Sequence, residues 1–91
     1  MPDVVEVTPL EGYRLRLRFE DGAVGEVDVS KIVPFKGVFA QLRARGRFVE
    51  VRVDPEAGTI CWPNGADLDA EVLYSIATGT PIDAPEPAES R

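Results

Sequence analysis

The chain has 91 residues, 44% of them hydrophobic, and a formal net charge of −6 at pH 7. Such a length builds one domain that buries roughly 60–65% of its unfolded surface, with little room for a deep internal pocket. The acidic balance argues against nonspecific binding to phosphate backbones, which needs clustered Lys and Arg. A single cysteine and no histidine exclude an internal disulfide, a Ser-His-Asp triad and a Cys-His pair within one chain.

The first element is a short strand over Val4-Val5-Glu6-Val7-Thr8, ended by Pro9. Tyr13, Leu15, Leu17 and Phe19 then alternate with Arg14, Arg16 and Arg18, which predicts a strand with one dry and one wet face. The Gly25–Val29 segment repeats the pattern, with Val27 and Val29 inward. A two-residue Asp21-Gly22 loop would set Leu17 against Glu26 and mix the faces. A three-residue loop, Glu20-Asp21-Gly22, pairs Arg16 with Glu26, Leu15 with Val27 and Arg14 with Asp28. The second register is preferred, with Gly22 in the left-handed position, because a one-residue slip would turn a whole strand over.

Ser30 can cap a brief turn, Lys31-Ile32-Val33, before Pro34. A helix is expected from about Val38 to Ala44, with Val38, Phe39 and Leu42 inward and Gly46 as its stop. Phe48–Val53 reads as a strand, with Val49, Val51 and Val53 on one side. A hairpin loop follows over Asp54-Pro55-Glu56-Ala57-Gly58, setting Val53 against Ile60 and Val51 against Trp62 in the strand Thr59–Trp62. Asp69 is a good N-cap for a helix Ala70–Thr78, with Val72, Leu73, Ile76 and Ala77 as its apolar stripe and Gly79 as its end. Three prolines and three acids over residues 80–91 predict a flexible acidic tail. The whole is a small two-layer α+β domain over residues 1–79, an antiparallel sheet packed against two short helices in the order β-β-β-α-β-β-α. Val4–Thr8 and the Cys61 strand are the expected sheet edges.

Each chemically suggestive group has a commonplace role beside its functional one. Cys61 reads as a small strand residue, since reactive thiols need an electropositive setting. Asp54, Asp67 and Asp69 have turn and cap roles open to them, and their spacing matches no calcium loop. The Arg14, Arg16 and Arg18 stripe reads as a solvated face neutralised by Glu26, Asp28 and Glu6. Trp62 reads as buried area and Asn64-Gly65 as a tight turn. The functional alternative is that Asn64, Asp67 and Tyr74 line a surface for a partner. The segment Met1–Glu6 has no apolar run, and no stretch approaches the roughly 20 apolar residues of a membrane span. A soluble cytoplasmic protein without catalytic residues, metal or cofactor is therefore expected.

Four stretches carry a family resemblance: Val7-Thr8-Pro9-Leu10 leading into Tyr13-Arg14-Leu15, then Phe19-Glu20-Asp21-Gly22, then Gly37-Val38-Phe39, and finally Gly58-Thr59-Ile60-Cys61-Trp62-Pro63-Asn64-Gly65-Ala66-Asp67-Leu68. Together they resemble the bacterial domain of unknown function 2442 family over about residues 4 to 78. The resemblance implies a two-layer α+β module with no established catalytic activity, and Trp62, Pro63, Asn64, Gly65, Ala66 and Asp67 as the family signature. Some members carry a helix-turn-helix after the module, for which there is no room here after Gly79, so direct nucleic-acid binding is not expected. Others are short and lie beside genes for a second small family, domain of unknown function 4160, a pairing suspected of forming toxin–antitoxin systems. The expected function is thus a small protein-interaction module, antitoxin-like, whose partner is the neighbouring gene product. The alternative is a small-ligand or carboxylate-based site at the Trp62–Asp67 corner, and a homo-oligomer through uncovered strand edges is compatible with either.

Overall fold

In a computed structural model the chain forms a small α+β domain; residues 2–79 are described. Strands β1 (Val4–Pro9), β2 (Arg14–Phe19) and β3 (Val24–Asp28) make one antiparallel sheet in that order. The β2–β3 register is the one face consistency demands: Leu15 opposite Val27, Arg16 opposite Glu26, Arg14 opposite Asp28. Gly22 adopts φ 90°, the left-handed position of the three-residue loop. Asp21 completes that turn by accepting the Ala23 N–H at 2.9 Å. Leu15, Leu17 and Phe19 are wholly buried, while the arginines between them face solvent.

The chain then departs from a single sheet. Strands β4 (Arg52–Asp54) and β5 (Thr59–Cys61) form a separate two-stranded ladder, with Val53 opposite Ile60 as the sequence pattern requires. The hairpin is tied to β1 by the Val4 N–H, which donates to the Gly58 carbonyl at 3.0 Å. Strand pairing also begins later than the valine pattern suggests. Phe48 closes a one-turn helix, α1 (Arg45–Phe48), and Gly46 lies inside it rather than ending the preceding segment. The reason lies in packing: Phe48 is wholly buried, edge-on to Tyr13 with ring centroids 5.2 Å apart. A strand begun at Phe48 would carry Val49 inward with Val51 and Val53, whereas Val49 is 44% exposed.

The segment before α1 is 3₁₀ helix over Gly37–Arg43, with Leu42 as its buried residue. The brief turn after β3 covers Val29–Lys31 and is capped by Asp28, not Ser30. The Asp28 carboxylate accepts both the Ser30 N–H at 3.0 Å and the Ser30 hydroxyl at 2.5 Å. The cap thus sits two positions earlier than expected, and the carboxylate takes a first-turn N–H that would otherwise lack an intrahelical partner.

Helix α2 (Ala70–Thr78) has the bounds its pattern gives, with Asp69 capping its start and Gly79 at φ 73° ending it. Leu73 is buried and Ala77 packs on the core, whereas Ile76 is 46% exposed and outside the apolar stripe. The helix comes so close to β3 that a Cβ on Gly25 would collide with the Ala77 backbone. No helix among the described residues is long and apolar enough to cross a membrane. The tail over residues 80–91 lies outside the described residues.

Candidate functional site

The signature run Trp62–Asp67 separates into a buried half and an exposed half. Trp62, Ala66 and the following Leu68 are buried; Pro63, Asn64, Gly65 and Asp67 face solvent. The corner is closed by its own backbone. The Trp62 N–H donates to the Ala66 carbonyl at 2.8 Å and the Gly65 N–H to the Trp62 carbonyl at 3.0 Å. Gly65 has φ 94°, a conformation that side chains with a Cβ avoid. Asn64 supplies the remaining acceptor, taking the Ala66 N–H on its Oδ1 at 3.1 Å.

Two long-range hydrogen bonds fix the corner to the rest of the molecule. The Trp62 indole Nε1 donates to the Phe48 carbonyl at 2.8 Å, within the buried interior. The Asn64 Nδ2 donates to the Val38 carbonyl at 2.8 Å and lies 3.5 Å from the Gln41 Oε1. These bonds explain the helical turn at Phe48: its carbonyl meets the indole, and its ring lies 6.1 Å from the Trp62 ring. Between α1 and the corner runs an open groove of ≈ 250 Å³, lined by Gln41, Leu42, Arg47, Glu50, Trp62, Pro63 and Asn64. This is just below the 300–1,000 Å³ that ordinarily holds a small-molecule ligand. One ion pair, Arg47 to Glu50 at 3.6 Å, stands in its wall.

The other candidate groups are dispersed by the fold. Asp54 turns its carboxylate onto its own hairpin, accepting the Glu56 N–H at 3.1 Å and the Ala57 N–H at 3.3 Å. Asp69 accepts the Glu71 N–H at 2.9 Å as the cap of α2. Asp67 forms an isolated bridge with Cys61, so the free side of β5 is covered by the returning chain and Cys61 is no sheet edge. Thr59, buried under the same return, donates its hydroxyl to the Leu68 carbonyl at 2.6 Å. Arg52 stands opposite Cys61, as the register predicts.

Tyr74 is not part of the corner surface. Its hydroxyl donates to Asp21 Oδ2 at 2.6 Å and its ring stands edge-on to Phe19 at 4.9 Å. The Tyr74 hydrogen bond, with help from the Ala23 N–H, holds the Asp21 carboxyl below its ordinary pKa and raises that of the phenol. Sequence proximity to Trp62 concealed a partner 53 residues away. What the sequence pattern missed in turn is the groove's far wall, Arg47 and Glu50, hidden because Phe48–Val53 reads as strand and Arg47 as the link before it.

On the outer sheet face the cross-strand charges pair, Arg14 diagonally with Glu26 and Arg18 with Glu6 directly opposite it. Arg14 meets Glu26 at 2.8 Å and Arg18 meets Glu6 at 2.9 Å. Arg18 holds the Glu6 carboxyl below its usual range through that hydrogen bond and its charge. Arg16 forms no ion pair with any described residue. Among the described residues no group of three His, Cys, Asp or Glu side chains converges to hold a metal ion.

No curated protein and no solved structure matches the chain. The pattern of one family does, over residues 4–79, a span that holds every element from β1 to α2 and the corner with its groove. The chain belongs to the family described as "Protein of unknown function (DUF2442)".

Proposed function

We propose that this chain is a cytoplasmic, non-catalytic protein-interaction module, the antitoxin-like half of a bacterial two-protein system. Its partner in this reading is a small basic protein of the domain of unknown function 4160 type, encoded by the neighbouring gene. One observation carries the proposal. The exposed half of the signature, Pro63, Asn64 and Gly65, is held by hydrogen bonds at 2.8–3.1 Å beside an open groove. A surface fixed in advance loses little conformational entropy when a partner binds, which favours recognition. The exposed Val38 and Pro63 add apolar area around Asn64. The net charge of −6 favours encounter with a basic partner.

The small-ligand or carboxylate-based reading has less in its favour. The groove carries one carboxylate, Glu50, and it faces Arg47 rather than a second acid. Acid–base work by two carboxylates needs environments that separate their pKa values.

Co-expression with the neighbouring gene product tests the proposal. Copurification at low and moderate salt, weakened by Asn64→Ala, is the expected result. Absence of any complex under both conditions refutes it.

A further inference from the structure

Strand β3 lies at the edge of its sheet. Backbone hydrogen bonds in the β2–β3 ladder alternate: the Phe19 N–H donates to the Ala23 carbonyl at 2.9 Å and the Val29 N–H to the Tyr13 carbonyl at 2.9 Å. With the register given, Gly25 and Val27 therefore turn their backbone groups toward β2. Val24, Glu26 and Asp28 turn their N–H groups away from it, and Val24 and Glu26 their carbonyls. None of these five groups has a hydrogen-bond partner among the described residues.

The other edges are short, covered or interrupted, and β4 spans only three residues. β5 is covered by the Cys61–Asp67 bridge. β1 is interrupted by a register shift between Val4 and Glu6, tied at its start to Gly58, and ends at Pro9, which has no N–H to offer. β3 has neither proline nor bulge. An open regular edge is the substrate of strand addition, in which main-chain bonds supply affinity and alternate side chains supply specificity.

We infer that the edge of β3 docks an extended, lysine- or arginine-bearing segment of a partner protein as a fourth strand beside Glu26 and Asp28. Charge selects this occupant. Those two acids lie on the outer face, where a strand added to β3 sets its own side chains directly opposite. A second copy of β3 would bring Glu26 and Asp28 against themselves. The chain's own segment after Gly79 carries Asp83, Glu86 and Glu89 against the single Arg91. A basic strand meets complementary charge instead, sharing Glu26 with Arg14 and Asp28 with Ser30. Apolar contact is available on both sides, from Val24, 45% exposed on the outer face, and Ile76, 46% exposed on the helix that covers the inner face. This inference rests on the chain being an interaction module but not on the corner.

The test is amide hydrogen exchange and chemical-shift mapping on the full chain, with the synthetic peptide Lys-Val-Lys-Val-Lys-Val-Lys and its glutamate counterpart. In the free protein the Val24, Glu26 and Asp28 amides are expected to exchange freely. The lysine peptide is expected to shift and protect those three, binding at least about tenfold more tightly than the glutamate peptide. Glu26→Lys should weaken it by at least about tenfold, and Glu26→Pro, which removes an outward N–H as well as the carboxylate, should abolish protection at Val24 and Asp28. Circular dichroism checks that both variants fold. Protection already present in the free chain overturns the inference: if independent of concentration the chain's own tail holds the edge, and if rising with concentration a second copy does. Equal binding of both peptides, shifts confined to other residues, or no binding also overturn it. A lysine peptide that binds β3 when no complex with the neighbouring protein forms sinks the proposed function alone. A complex that leaves the β3 amides exchanging freely sinks this inference alone.

Discussion

Gly25→Ala separates a packing argument from a propensity argument, because the two predict opposite signs. Replacing glycine by alanine where the backbone permits it ordinarily stabilises by about 0.4–1 kcal/mol, through the unfolded chain. Gly25 has no positive φ, so the backbone raises no objection. The objection comes from α2. A Cβ at Gly25 would stand 2.7 Å from the Ala77 carbonyl carbon and 2.8 Å from the Ala77 Cβ, and closer still to the carbonyl oxygen. Favourable contact begins near 3.5 Å, so the helix must withdraw by about 1 Å. Backbone cannot turn aside as a long side chain would. Withdrawal loosens Leu73 from the core and the Tyr74 ring from Phe19. Overpacking of this kind costs about 1–3 kcal/mol, which outweighs the propensity gain. Urea unfolding should show a lower midpoint with an unchanged slope. Gly46→Ala is the internal control. Its new Cβ meets nothing within 4 Å and it lies inside α1, so it should gain about 0.5–1 kcal/mol. A Gly25→Ala protein as stable as its parent would refute the close approach of α2 to β3.

Three further outcomes follow from the same geometry. Trp62→Phe leaves the Phe48 carbonyl without its indole donor and should lower stability by about 1–3 kcal/mol in denaturant unfolding, with some further loss from the smaller ring. In Tyr74→Phe the Asp21 carboxyl should titrate closer to its ordinary 3.8, followed by NMR. Stability should fall in acid. Glu6 and Asp21 have folded pKa values depressed from 4.5 and 3.8, so their contribution is complete above those values and is lost as pH drops through the lower folded ones. Thermal melts from neutral pH downward read this directly, and added salt should blunt the Glu6–Arg18 part, which is exposed.

The readable parts of this fold are those governed by neighbours in the chain. Alternation from Tyr13 to Phe19, the left-handed Gly22 and the demand that faces agree were enough to fix the β2–β3 register. Asp69 and Gly79 bound α2 because caps act within one turn. The misread parts are governed by distant contacts. The valines at 49, 51 and 53 suggest a long strand, but the indole of Trp62 needs the Phe48 carbonyl and the core needs the Phe48 ring. Those two demands hold residues 45–48 in a helical turn that no local pattern announces. Tyr74 is likewise assigned by its position in the chain to Trp62 and by the fold to Asp21. The corner itself was legible as a fixed turn; the groove was not, since its opposite wall depends on α1.

The dependence of the signature on remote carbonyls has a consequence for how portable it is. An excised hairpin containing residues 51–68 would keep every letter of the motif, yet its tryptophan would lose the acceptor at residue 48 and its asparagine the acceptor at residue 38. Grafted onto another scaffold, the same letters would keep the local turn but lose both of its long-range anchors. The motif's anchorage is therefore stitched across the molecule, and it is complete only when the whole domain has folded.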